Sequence, residues 1–441
     1  MRFEALCGAF GGVLSMPRSI VLSNFSDRIF HSYGCHAGNL SALLQGARTY
    51  TGAPLWNTYL SGCGTDVDPE LARLKAVCEA AERYSSCMLL EHEYMVASAN
   101  ELGKDAFNWP TLPSFSEDEL ALPDQPFHPF DPDEPMRWVE AVSLNTGDKK
   151  YVPVVMSHLY PRAWTSERFW AAISTGTAVH HDPATALVTA TAEVLERDAI
   201  ALTWLLRRRL PQIAFDSTDL AHFAPAVRTL LEQEDEYMLF DATTDVGLPT
   251  VYLRRHRSCH PHAANLVTCA SSFSFADACY KALREVASLS SILDTGQLNV
   301  PASAEQCADI EDGAVYMARP ERAHAFDFLD GSDRVRFSDL QAGQALPDHS
   351  HAGAQLAWLK QRAQALGHEI LLLELSSDEL RQVGLRGFRA LVPSLMPMST
   401  ITTARYLGAA RLAQFHAFLM DRGDIAPGAA MTINPFPQPF A

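Results

Sequence analysis

Apolar and polar positions along this chain change period several times, and three stretches with helical spacing share one layout. Asp68-Pro69 stands eleven residues before Glu79, inside Glu79-Ala80-Ala81-Glu82-Arg83. Asp182-Pro183 stands eleven before Glu193, inside Glu193-Val194-Leu195-Glu196-Arg197. Ser274 stands eleven before Glu285, inside Lys281-Ala282-Leu283-Arg284-Glu285. Asp and Ser satisfy the free N–H groups of a helix start, and Pro suits the first helical position. The spacing therefore predicts capped helices over about 69–98, 183–208 and 275–293, each with acids about three turns in. That depth lies beyond the reach of the helix dipole, so another cation is implied.

The rest of the chain reads as short strands, turns and loops. Ser19-Ile20-Val21-Leu22 is β-like and a small helix is expected around Ser41 to Ala47. Tyr59 to Gly64 predicts a strand running into a glycine turn. Residues 108–136 are rich in Pro and Asp, an ordered-loop signature. A hairpin follows, from Met136 to Leu144, through Asn145-Thr146-Gly147-Asp148, to Tyr151–Met156. Strands are predicted at 237–241, 249–254 and 265–270, and residues 303–348 are polar and poorly patterned. A helix over Gln355–Leu366, strands over Glu369–Leu375 and Phe388–Pro393, and a helix near 405–421 lead to a Pro-rich end. Strands and helices alternate without a regular βαβ rhythm, which points to an α/β (α+β) class.

Composition narrows the function. The chain has 441 residues, 47% hydrophobic and 20% charged, enough for one large or two medium domains. No run of 18 apolar residues occurs, so no membrane span is expected. Ala5–Leu14 is apolar but follows only Arg2, a poor secretory signal. Nine scattered cysteines without a Cys-x-x-Cys pair argue against a disulfide framework or structural zinc and fit the cytoplasm. Thirty-five bases against 52 acids give a net charge of −17, which disfavours nucleic-acid binding. An anionic substrate would need local neutralisation.

Positions i, i+3 and i+4 share a helix face. Glu79, Glu82 and Arg83 therefore project together, as do Glu193, Glu196 and Arg197. Mg2+ takes oxygen ligands, usually carboxylates plus phosphate oxygens. Glutamates on three helices could hold such ions, with Arg83, Arg197 and Lys281 toward phosphates. The alternative is three similar helices turned outward. The turns Ser61-Gly62-Cys63-Gly64 and Ser174-Thr175-Gly176-Thr177 could offer N–H groups to phosphate, although no Walker A loop is present. His180 and His181 read as a surface pair, and Cys63 and Cys78 as small packing residues.

These residues carry a resemblance. Ser61–Ser85, Ser174–Ala199 with its Glu-Arg-Asp-Ala ending, and Ala278–Ser288 resemble the three motifs of the YcaO superfamily, specifically the azoline-forming, ATP-dependent cyclodehydratase component. The resemblance covers about 55–441, with 1–54 an N-terminal segment of the same domain, and implies mixed sheets with helices forming a nucleotide-binding cavity. It implies ATP and Mg2+ as cofactors, with Glu79, Glu82, Glu193, Glu196 and Glu285 at the metal. Lys75, Arg83, Ser174, Thr175, Gly176, Arg197 and Lys281 fall at expected nucleotide positions. Lys75 stands where a serine is typical, Thr185 where an acid is, and Ser288 where glutamine is common. Azoline-forming members end in Pro-x-Pro-x-Pro. Pro435, Pro437 and Pro439 satisfy it here, with Ala441 at the usual last proline, so Pro437, Pro439 and Ala441 are the expected catalytic tail in 434–441.

The implied reaction converts Cys, Ser or Thr of a ribosomally made precursor peptide to a thiazoline or oxazoline through phosphorylation of a backbone amide oxygen. The resemblance further implies a separate E1-like, leader-binding protein, a flavin-dependent azoline dehydrogenase and a hetero-oligomeric complex. Thioamide or amidine formation and a non-catalytic precursor-binding scaffold are the alternatives.

Overall fold

The computed structural model describes residues 3–8, 12–22, 26–39, 59–123, 125–161, 163–343, 346–347 and 351–440. The expected helix at 41–47 and the terminal Ala441 lie outside them. The chain divides into two compact units. The first comprises Met1–Ile20, Ser32–Val194 and Ala352–Leu395; the second comprises Val21–His31, Leu195–His351 and Met396–Ala441.

The first unit holds two sheets. Strands Arg18–Ile20, His31–Asn39 and Tyr59–Asp66 form a three-stranded sheet in that order. The larger sheet runs Met95–Ala97, Met136–Ser143, Leu371–Glu374, Arg386–Leu391, Thr177–His180, with Lys149–Pro153 paired to Met136–Ser143 as the predicted hairpin. Trp138 is fully buried at its centre among Met136, Phe107, Val152 and Phe169, and its indole donates to Ala97 O at 2.8 Å.

The first acidic helix is Pro69–Ser86, with the Asp68 carboxylate capping Glu70 N–H as the sequence predicts. It stops twelve residues short of the expected end at 98. Residues Met95–Ala97 instead pair with Trp138, Arg137 and Met136, and Ser98 caps a separate short helix. Strand pairing wins because it satisfies the ladder groups of the sheet edge, which local helix propensity cannot offset. Ser85 Oγ donates to Leu375 O and accepts from Ser377 N–H at 3.1 Å, fixing the helix end.

The second unit has one five-stranded sheet, ordered Asn265–Ser271, Thr250–His256, Tyr237–Asp241, Gln212–Ala214, Arg334–Arg336. All pairings are antiparallel except that between Arg334–Arg336 and Gln212–Ala214. The third acidic helix, Phe275–Leu293, starts at the Ser274 cap and covers this sheet with Ala278, Ala282, Leu283 and Val286. The poorly patterned stretch 303–348 contains a helix at Ile310–Met317, a 3-10 segment at Pro320–Leu329 and a further helix at Phe337–Ala342. These are too short and irregular for hydrophobic periodicity to show.

Candidate nucleotide site

The second acidic helix, Pro183–Leu205, begins where the Asp182 carboxylate accepts from Thr185 N–H at 3.0 Å. Its Glu193 belongs to the first unit and its Glu196 to the second.

In the first unit, glycines let the backbone approach the acids. A Cβ on Gly62 would lie 2.2 Å from Ala80 N, and one on Gly64 would lie 2.0 Å from Ala72 O. The strand Tyr59–Asp66 thus rests directly on the small-residue face Ala72, Ala76, Ala80 of the first acidic helix. That approach brings Cys63 N–H to Glu79 Oε2 at 2.9 Å, while Glu79 Oε1 accepts from Arg83 Nη2 at 2.8 Å. Gly176 has φ +83°, and a Cβ there would lie 2.3 Å from Ala390 O. Its N–H goes to Glu193 Oε2 at 3.1 Å. Ser174 uses its carbonyl to accept from Thr177 N–H and from Thr177 Oγ1 at 2.6 Å. The Cys63 and Gly176 amides, expected to face phosphate, are donated to carboxylates in this structure. Thr175 is half-buried beside them.

The half-buried Glu82 sits in the field of this group. Burial first, then the charges of Glu193 and Glu79, hold its carboxyl well above the ordinary range, against the pull of Arg83 and Arg389. Arg389, which sequence reading did not single out, is 2% exposed on the strand Arg386–Leu391, between Leu371–Glu374 and Thr177–His180 and opposite Thr177. Burial brings its guanidinium down to about 10, and Glu193 and Glu82 oppose that shift. Lys75 ion-pairs with buried Asp66.

The second unit has its own group. Glu196 Oε2 accepts from Ser271 N–H at 2.7 Å, and Lys281 Nζ donates to Ser271 O at 3.3 Å. Burial and Arg284 lower the Lys281 pKa, whereas Glu196, Asp277 and Glu285 raise it. Glu285 lies 4.0 Å from Arg284. Arg197 reaches Met398 Sδ at 3.8 Å. Buried Cys269 is pushed far up by desolvation and then by Glu196 and Glu285, which makes it a packing thiol.

The acids thus fall into two groups, Glu79, Glu82 and Glu193 in the first unit and Glu196 with Glu285 in the second. Among the described residues, no three His, Cys, Asp or Glu side chains form a ready-made metal cage. The donor chemistry nevertheless suits Mg2+. It is all hard oxygen, and Mg2+ needs one or two carboxylates, keeping waters and phosphate oxygens for the rest. A cation would also relieve the like-charge crowding that helps to raise the Glu82 carboxyl.

The family model described as YcaO cyclodehydratase, ATP- and Mg2+-binding, matches residues 63–396. The chain belongs to the YcaO family. No protein of curated function matches this YcaO chain by sequence. Its fold is similar to a heterocyclase in complex with substrate and cofactor (TM-score 0.77, 20% identity, 100% of this chain and 56% of that one). It is similar to YcaO from Methanopyrus kandleri bound with AMPPCP and Mg2+ (TM-score 0.62, 16% identity, 89% and 88%). It also resembles a chain of the E. coli microcin synthetase McbBCD complex (TM-score 0.57, 12% identity, 96% of each). This YcaO chain spans about half the length of the heterocyclase chains it matches. No described helix is long and apolar enough to cross a membrane.

The Pro-rich stretch of this YcaO protein packs into the second unit. Asn434 N–H donates to Leu205 O at 2.8 Å, and Trp204 Nε1 donates to Phe436 O at 3.1 Å. Pro437 and Pro439 are buried, and Phe440 meets Tyr252 edge-on at 5.4 Å. Gly313 makes room for Gln438, whose carbonyl would lie 2.3 Å from a Cβ there.

Proposed function

We propose that this YcaO chain uses ATP to cyclise Cys, Ser or Thr residues of a ribosomally made precursor peptide to thiazolines or oxazolines. The observation that carries this reading is the grouping of Glu79, Glu82 and Glu193 with Arg83 and Arg389, where burial first and then the like charges of Glu193 and Glu79 hold Glu82 above its ordinary range. Such a group selects a divalent cation and, through its arginines, phosphate oxygens. Within the first unit Glu79, Glu82 and Glu193 would hold Mg2+, and within the second Glu196 and Glu285 would do so by themselves; the ion would supply charge neutralisation for phosphoryl transfer.

The reaction begins when the substrate thiol or hydroxyl loses its proton and attacks the carbonyl carbon of the preceding residue, and this C–S or C–O bond closes the five-membered ring. The former amide oxygen takes the γ-phosphoryl group of ATP, and ADP leaves. The amide nitrogen then loses its proton, a C=N bond forms, and phosphate departs with that oxygen. The peptide loses one water in total. Arg83 would orient phosphate oxygens through its guanidinium fork.

Partners follow from the same reading. A separate E1-like, leader-binding protein delivers the precursor peptide, a flavin-dependent dehydrogenase oxidises azolines, and the assembly is hetero-oligomeric and cytoplasmic. The likeness to a chain of a synthetase complex supports the hetero-oligomeric part of this reading.

The test incubates the chain, precursor and partner protein with Mg-ATP. Phosphate release matched to loss of one water per ring is expected, and E193Q/E196Q should abolish both. Ring formation by that variant would refute the assignment of the acids. Exchange of an oxygen for a sulfur would move the chain to thioamide chemistry, and water loss that persists after the substrate Cys, Ser and Thr residues are replaced by Ala would move it to amidine chemistry.

A further inference from the structure

Arg389 is a buried cation of the first unit whose hydrogen bonding is left incomplete among the described residues. Its Nη2 donates to Ile173 O at 2.7 Å, but neither Nε nor Nη1 meets an acceptor among the described residues. Unmet buried donors cost free energy, and native structures keep them where a ligand, water or ion completes the set. Two features set the position of this fork. Ala390 N–H donates to Gly176 O at 2.7 Å, which ties the strand to the turn whose amide holds Glu193. Thr177 lies opposite Arg389 in the ladder. The guanidinium is therefore fixed by its strand rather than left to reorganise. Arg83 has the same feature, a buried Nε without an acceptor beside Glu79. Two planar cations with unfilled donors, interleaved with carboxylates, fit an anion that arrives with its own divalent cation.

We propose that Arg389 is a phosphate ligand, its Nε–H and Nη1–H donating to a phosphate oxygen of bound Mg-ATP. This rests on the ATP-dependent reading above. The competing role is a counter-ion that only balances Glu82 and Glu193. Lysine retains that charge but lacks the fork.

Mg-ATP affinity is measured for wild type, R389K and R389Q, alongside precursor-peptide affinity and melting temperature without nucleotide. Both variants should weaken Mg-ATP by about tenfold or more, with the KM for ATP rising and peptide affinity unchanged. Wild-type ATP affinity in R389K would overturn the proposal in favour of the counter-ion role. If wild type itself fails to bind Mg-ATP, the parent reading falls instead. Should both variants fail to fold, the wild-type arginine Nε–H resonances decide. The buried guanidinium signal must shift with Mg-ATP, and an unmoved signal would overturn the assignment.

Discussion

At the residue scale the chemistry concentrates on Glu82. Its folded-state pKa is raised by burial and by Glu193 and Glu79. The folded chain keeps a proton that the unfolded chain sheds above the ordinary value of 4.5. Stability from this group is therefore complete below that value and is lost as pH rises through the raised folded-state value. Without Mg2+, the melting temperature should fall across that rise, and Mg2+ should recover part of the loss. E82Q, neutral at every pH, should flatten the slope. Equal slopes in wild type and E82Q would show that Glu82 does not carry the effect. The glutamates were legible in the sequence because their spacing repeats. Arg389 was not, because a single arginine inside Arg386-Gly387-Phe388-Arg389-Ala390 has no period and its burial comes from neighbouring strands.

At the scale of elements the caps were legible and the close approaches were not. Asp68 and Ser274 cap the helices predicted for them, because an N-cap is a local matter of one side chain and two or three amides. D68A should destabilise by about 1 kcal/mol, the ordinary cost of a lost cap, read from denaturant unfolding. Gly64 is more demanding, since a Cβ would enter Ala72 O at 2.0 Å and Ala76 N at 2.3 Å. G64A must push the strand off the first acidic helix and should cost about 1–3 kcal/mol, the overpacking range. It should also weaken Mg-ATP binding by displacing Cys63 N–H from Glu79. An unchanged unfolding midpoint would mean that the strand and helix are not in direct backbone contact. The end of the first acidic helix is not legible in the sequence, because local propensity says little about residues 95–97 while their partner strand lies about forty residues on.

At the scale of the whole molecule, each unit draws segments from distant parts of the chain, and each closes its own core. In the second unit Phe440 fills the cluster of Trp204, Tyr252, Phe326 and Met398. F440A should cost about 3–5 kcal/mol, as for other buried phenylalanines. Thermal unfolding checks it, and a loss within experimental error would show that the Pro-rich stretch is not seated there. The sequence alone determined the mixed α/β class, the three capped acidic helices, the hairpin after Met136 and the YcaO resemblance. Those features rest on local periodicity, capping chemistry and motif spacing, which the chain carries in consecutive residues. Only the tertiary structure decided that Cys63, Gly176 and Ser271 turn their amides on Glu79, Glu193 and Glu196, that Arg389 joins the first group, and that Pro437, Pro439 and Phe440 are buried. Each of these depends on residues far apart in the chain, whose meeting is set by sheet pairing and side-chain packing rather than by neighbours in sequence.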